Sequence, residues 1–312
     1  MASVRIPLAS ASHPNPPYDI VSPSESQTRS LCWDSTRVNS VERYQNISET
    51  LKFITLELEK WQQQTSDFLH GITVYVFTDV RREWADTLFQ AIDEKSRVRK
   101  TWNSQAQTLS LKMPTQGHDI AQKWVINSVV DWKDEGIISK EEWEGLKIGF
   151  GTTLKLPTSS FSKSQKEPDI YIRPFGSDSG FLPPVAFEVG WSESASRLRE
   201  NVRILLEGGA GHIQVVIVID WYLQKDGLTV TGKADLWRRG SDGHPVHEQS
   251  EDIYPVPRLL RGQSQRLGVT LDDIFLTTLQ ANQDPRTIVY FDIGKLREEA
   301  DKVFKELKLK PA

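Results

Sequence analysis

The sequence predicts an α/β fold, a mixed sheet flanked by helices, on three observations. The stretch from Lys166 to Ser192, KEPDIYIRPFGSDSGFLPPVAFEVGWS, reads as two short strands joined by a Gly/Ser/Pro-rich turn. HIQVVIVIDWYL, beginning at His212, is a near-continuous apolar run, the pattern of a strand covered on both faces. Around these strands stand two amphipathic helical stripes, in HDIAQKWVINSVVDWKDEG and SESASRLRENVRILLEGG.

A chain of 312 residues can bury a sizeable core, and 38% hydrophobic residues with ten Trp suit a globular protein. Lys and Arg number 38 against 42 Asp and Glu, a net charge of −4, so no global basic field draws the protein onto nucleic acid. The single cysteine, Cys32, excludes an intrachain disulfide framework and any multi-cysteine metal site. No apolar run is long enough to span a membrane, and the first residues lack a signal-peptide core. The expectation is a soluble intracellular protein, nuclear or cytoplasmic.

Four segments follow from the patterning. Residues 1–36 are Ser- and Pro-rich without periodicity and read as a disordered arm. Residues 37–107 form an N-terminal helical and mixed elaboration. Here LKFITLELEKW favours a helix, GITVYVFTDV a strand, and VRREWADTLFQAIDEK a helix with apolar residues at Val80, Trp84, Leu88 and Ile92. The basic cluster Lys95, Arg97, Arg99 and Lys100 then complements the dipole of that helix.

Residues 108–240 form the core. TLSLKMP is the second strand of a hairpin, and the helix after it buries Ile120, Trp124, Val125 and Val129 and stops at Gly136. Asp119 at its start complements the helix dipole. Ser139 and Glu142 form a capping box for a short helix. IGFGTTLKLP is expected to be one strand, with Thr153 and Lys155 on one face and Leu154 and Leu156 on the other. Ser192 or Ser194 caps the helix that buries Leu198, Val202, Leu205 and Leu206. GLTVTGKADLWRRG is an antiparallel strand. Residues 241–312 contribute a polar loop, SDGHPVHEQSED, one more strand expected to extend the sheet, and an amphipathic final helix.

Chemistry concentrates on the Lys166–Ser192 stretch. Alternation puts Asp169, Tyr171 and Arg173 on one face of the first strand, opposite Ile170 and Ile172. On the second strand Glu188 shares a face with Ala186 and Gly190, opposite Val185, Phe187 and Val189. Paired strands would project two carboxylates from an otherwise apolar sheet, where they bind a cation, meet Arg173 or Arg197 in ion pairs, or leave one pKa raised.

A Pro-Asp on one strand followed by a Glu on the next resembles the PD-(D/E)XK nuclease superfamily, the restriction-endonuclease-like fold. The likeness is greatest to fungal members carrying a PD…FEVG-[FWY]-SES block, here Pro168-Asp169 and FEVGWSES. It extends upstream, where KMPTQGHD is similar to a KMP…H-[DE] element before their first core helix. The resemblance implies an αβββαβ core and a Mg²⁺- or Mn²⁺-dependent endonuclease acting on DNA. Asp169 and Glu188 would hold the metal, with a strand carbonyl such as that of Val189, Asp119 would be a further ligand, and Ser192 and Glu193 of the FEVGWSES block would border the site. The consensus Lys, two residues after the Glu, is here Gly190. Lys155 or Arg173 would then supply the cation; Arg173 stabilises charge but cannot act as a base. Many members cut as dimers, but no residue here specifies a homodimer.

Two other readings stand beside the enzyme. One is a degenerate nuclease fold kept as a nucleic-acid-binding or protein-interaction module, favoured by Gly190 and the acidic net charge. The other is a scaffold whose carboxylates serve only in ion pairs. No Walker loop, HExxH or GxSxG signature is present, and the six His lack metal-site spacing.

Overall fold

Two mixed sheets carry the polypeptide. The structure, a computed structural model, describes residues 35–63, 72–93, 98–158, 160–176, 182–258 and 263–312, and the described residues belong to one compact unit. Residues 1–34 of the Ser/Pro-rich arm, and Lys95 and Arg97 of the basic cluster, lie outside them.

The N-terminal part runs β1 (Thr36–Ser40), α1 (Ile47–Gln63), β2 (Val74–Thr78), a 3-10 turn (Arg82–Trp84), α2 (Ala85–Asp93), β3 (Arg99–Asn103) and β4 (Thr108–Lys112). Then come α3 (Gln116–Asp134), α4 (Lys140–Glu144), β5 (Leu146–Gly149), β6 (Leu154–Lys155), β7 (Gln165–Lys166), β8 (Ile170–Pro174), β9 (Val185–Trp191), α5 (Ala195–Gly208) and β10 (Val215–Leu223). The remainder is β11 (Thr229–Arg239), β12 (Pro245–Tyr254), β13 (Arg266–Thr270), α6 (Leu271–Phe275), a 3-10 turn (Leu276–Thr278), β14 (Ile288–Asp292), α7 (Ile293–Glu306) and β15 (Lys310–Pro311).

The larger sheet has the order β12-β11-β10-β9-β8-β5, with β15 pairing β11. β5, β8 and β9 form an antiparallel meander, β10 runs parallel to β9, and β11 returns antiparallel to β10. The parallel step requires a crossover, which α5 supplies. One face of this sheet, with Ile170, Ile172, Val185, Phe187, Val189 and Ile217, packs on α3, α7 and the β13–β14 ribbon. Trp124 and Trp132 of α3 donate their indole N–H groups to the carbonyls of Asp292 (2.7 Å) and Tyr290 (3.0 Å), tying helix to ribbon. On the other face Ala186, Val216 and Val218 meet Leu198, Val202 and Leu205 of α5.

The second sheet has the order β1-β2-β4-β3-β7-β6. Its Tyr75, Phe77, Trp102, Leu109 and Leu111 pack under α1 and α2, which contribute Ile54, Leu58, Trp61, Leu88 and Phe89. By alternation, Ser110 and Lys112 of β4 face away from that cluster. The two sheets meet where Ser35 Oγ donates to the Trp191 carbonyl (2.8 Å) at the end of β9, and Thr73 Oγ1 donates to Ser35 Oγ (2.7 Å).

Three sequence expectations are corrected. IGFGTTLKLP is two strands in different sheets: the chain breaks after Gly149, and Gly151 adopts φ +56° before β6. Most of the polar "loop" SDGHPVHEQSED is the strand β12, paired antiparallel to β11. The strand after VTLDDIFL does not extend the sheet; β14 pairs β13 in a separate two-stranded ribbon.

Candidate functional site: a buried carboxylate and lysine cluster

The last registered pairs of the β8–β9 ladder are Ile172↔Val185, Tyr171↔Ala186 and Ile170↔Phe187. One step further along the same register, Asp169 lies opposite Glu188. The chain diverges there, and Asp169 Oδ2 accepts the Val189 N–H at 2.8 Å, a side chain standing in for a ladder bond. Glu188 sits in mid-strand with every residue of β9 buried.

Four further groups surround this pair. Lys112 ends β4; its Nζ donates to Asp169 Oδ2 at 3.0 Å and lies 3.3 Å from Glu193 Oε2 and 3.7 Å from Glu188 Oε2. Lys166 ends β7; its Nζ lies 2.8 Å from Glu188 Oε1 and donates to Oε2 at 2.9 Å. Glu193 is delivered by Ser192, which turns the chain out of β9 with φ +53° and accepts the Leu223 N–H on Oγ at 3.1 Å. His118, in the first turn of α3, accepts the Thr115 N–H on Nδ1 at 2.8 Å. The ring proton is thereby assigned to Nε2, which faces Asp169 Oδ1 at 3.3 Å.

The cluster is sealed. Side-chain exposure is 1% for Asp169, 0% for Glu188, 1% for Glu193 and 9% for Lys112. Burial, the largest single influence, pushes the Asp169 carboxyl up, but Lys112, His118 and Lys166 together outweigh it and hold the group well below the usual carboxylate range. Glu188 goes the other way: burial raises its pKa, Lys166 opposes, and the charge on Asp169 adds to the rise. Burial would pull the Lys112 ammonium down, yet Asp169, Glu193 and Glu188 together raise it above an ordinary lysine.

The sequence-predicted residues divide. Asp169 and Glu188 come together as expected. Asp119 does not join them: it is exposed, and His118, one residue and about 100° around the helix earlier, faces the pair instead. Lys155 also lies elsewhere, exposed on β6 and paired with Gln165 in the second sheet, because the chain leaves the first sheet after β5. Arg173 shares the Asp169 face but sits four residues, roughly 13 Å, along the strand, opposite Lys147. Glu188 is paired by Lys166, so neither Arg173 nor Arg197 is needed to account for it. At Gly190 a Cβ would lie 2.8 Å from Asp220 Oδ1 and 2.9 Å from Leu198 Cδ1, so the consensus Lys would require both side-chain ends to shift.

Sequence reasoning placed Glu193, with Ser192, at the border of the site through the FEVGWSES block, and missed Lys112, Lys166 and His118. Lys112 and His118 lie inside the quoted KMPTQGHD element, and Lys166 precedes Pro-Asp by two residues.

Three carboxylates are a hard oxygen set of the kind Mg²⁺ takes. As arranged, however, they do not fit the ion. Asp169 Oδ1, Glu188 Oε1 and Glu193 Oε2 are buried without a hydrogen bond, but Asp169 Oδ2 has two donors and an ammonium lies within 2.8–3.3 Å of each carboxylate, so a metal would have to displace one. With Lys112 lying among the three carboxylates, no group of three or more His, Cys, Asp and Glu side chains among the described residues could hold a metal ion in the structure as it stands. The chain matches no protein-family model, and no curated protein is significantly similar to it in sequence.

Proposed function

We propose that the chain is a nuclease-like fold that no longer hydrolyses phosphodiesters and serves as a protein-interaction module. One observation carries this: the two carboxylates on which metal-dependent hydrolysis would depend are 0–1% exposed and neutralised by Lys112 and Lys166 at 2.8–3.7 Å. Hydrolysis needs a hard cation and a water beside the scissile phosphate. A phosphate on a polymer cannot reach oxygens enclosed between two sheets.

The nuclease-like ancestry rests on element order. α3, then the meander β5-β8-β9, then α5 and β10 follow the αβββαβ sequence implied by the Pro-Asp and FEVGWSES motifs. The preference for a protein over a nucleic-acid partner rests on the net charge of −4, since nucleic-acid affinity is dominated by phosphate neutralisation.

The competing reading is a Mg²⁺-dependent DNA endonuclease. Its specific support is charge: Asp169, Glu188 and Glu193 against Lys112 and Lys166 leave one negative charge in excess when all are ionised.

Calorimetric titration with Mg²⁺ and Mn²⁺, with a plasmid-nicking assay and a duplex mobility shift at low salt, separates the two. No heat of metal binding, no nicking and no shift are expected from the wild type. Nicking that vanishes in Glu188→Ala overturns the proposal and restores the endonuclease.

A further inference from the structure

We infer that Lys112 is the resident cation of the carboxylate cluster, standing where a divalent metal ion would stand, and that removing it uncovers a latent divalent-cation site. This rests on the catalytically silent reading above and names the group responsible.

The two lysines play different parts. Lys166 engages a single carboxylate, with both Glu188 oxygens on its Nζ. Lys112 instead bridges three, placing Nζ 3.0, 3.3 and 3.7 Å from oxygens of Asp169, Glu193 and Glu188. These arrive from the start of β8, the segment after β9 and the middle of β9. An ammonium at the focus of three carboxylates from separate segments does the electrostatic work of a bound ion, though as three directional N–H donors and not as a Lewis acid. Lys112 also comes from outside the αβββαβ elements, on β4 of the second sheet. That sheet closes over the carboxylates, so one side chain both fills the cation position and belongs to the layer that shuts out solvent.

The carboxylates are placed independently of Lys112. Asp169 keeps the Val189 N–H and faces His118 Nε2; Glu188 keeps Lys166; Glu193 follows the fixed turn at Ser192. Truncation to Ala removes Cγ, Cδ, Cε and Nζ, leaving space beside three oxygen ligands. The local count then becomes three carboxylates against the one ammonium of Lys166. Hard oxygen donors with excess negative charge select a hard divalent cation such as Mg²⁺ or Mn²⁺.

The test follows Mn²⁺ binding by electron paramagnetic resonance and by its effect on thermal unfolding, in wild type, Lys112→Ala, Lys112→Met and Lys112→Ala/Glu193→Gln. The expected result is saturable binding and a Mn²⁺-dependent rise in Tm for Lys112→Ala. Wild type and Lys112→Met, whose side chain keeps the space filled, bind nothing, and the double variant binds at least tenfold more weakly than Lys112→Ala. If Lys112→Ala is unfolded in buffer, Mn²⁺ is expected to fold it, because binding to a site present only in the native state drives folding. A variant that binds no Mn²⁺, or stays unfolded at every Mn²⁺ concentration, overturns the inference and leaves the silent-nuclease reading intact. Saturable Mn²⁺ binding by the wild type that is lost in Glu188→Ala overturns both.

Discussion

Replacing Lys166 with Met removes the cation closest to Glu188 while keeping the side chain's length. Glu188 is 0% exposed and would lose an ammonium 2.8 Å from Oε1 and 2.9 Å from Oε2. At an effective dielectric of about 20, a contact near 3 Å carries roughly 5–6 kcal/mol of gross attraction. Much of this offsets the desolvation of Lys166, which Met does not incur. The uncompensated carboxylate is the net loss, and breaking one side of a buried pair costs about 3–5 kcal/mol. Lys112, still 3.7 Å from Glu188, places the expected loss near the lower end, about 3 kcal/mol. Urea unfolding at neutral pH reads it directly. The pH dependence supplies a second readout. The folded pKa of Glu188 is raised above 4.5, so its contribution to stability declines as pH rises through that folded value. Losing Lys166 raises the folded pKa further, so the deficit relative to wild type should grow with rising pH and shrink under acid conditions. The double variant Lys166→Met/Glu188→Met removes both charges and should return to within about 1 kcal/mol of wild type. A single-variant loss below about 1 kcal/mol, flat with pH, would refute the buried-pair account.

Other perturbations bear on different parts of the cluster. Gly190→Ala should cost about 1–3 kcal/mol in urea unfolding, since the added Cβ meets Asp220 Oδ1 at 2.8 Å and Leu198 Cδ1 at 2.9 Å; Gly190→Lys should lower stability without producing plasmid nicking. Ser35→Ala should cost about 1–2 kcal/mol by removing the donor to the Trp191 carbonyl and the acceptor for Thr73 Oγ1, and amide exchange near the start of β1 should accelerate. Asp119→Asn and Lys155→Ala, both exposed, should stay within about 0.5 kcal/mol of wild type; a loss comparable to Lys166→Met in either would return that residue to the site.

Much of the fold was legible because burial and period coincide in it. β10 is apolar almost throughout and is buried almost throughout. The capping box of Ser139 and Glu142 forms as its residue types predict, with Ser139 Oγ accepting the Glu142 N–H at 3.0 Å. β12 was illegible for a physical reason. It is an edge strand that is polar on both faces from His247 to Asp252, with the His247 ring tilted against Trp237 at 4.6 Å between centroids and both His247 and Ser250 bonded to Asp235. Cross-strand pairing holds such a strand, and pairing leaves no hydrophobic alternation in the sequence. The separate β13–β14 ribbon was illegible because local pattern predicts a strand without saying which sheet receives it.

At the site, the carboxylates were legible and their cations were not, and the asymmetry has a cause. A Glu between Phe187 and Val189 announces that a buried charge needs a partner, but nothing local says where the partner comes from. Lys112 alternates with Leu111 and Leu109, so the pattern TLSLK reads as an apolar face backed by a solvent face. That holds only for a sheet covered on one side. Here α1 and α2 cover the Leu109 face and the core covers the other, so the lysine that pattern assigns to water is 7% exposed. The same layering explains why Lys155 fails as its substitute. Both lysines lie in the second sheet, but Lys155 is exposed on β6 at the sheet's edge, whereas β4 lies in its interior against the core. Which lysine reaches the carboxylates is thus decided by strand order in the second sheet, a non-local property. Moving the charge by Lys112→Met with a compensating Gly190→Lys should restore little of it, because a side chain at residue 190 must first displace the Asp220 and Leu198 side-chain ends.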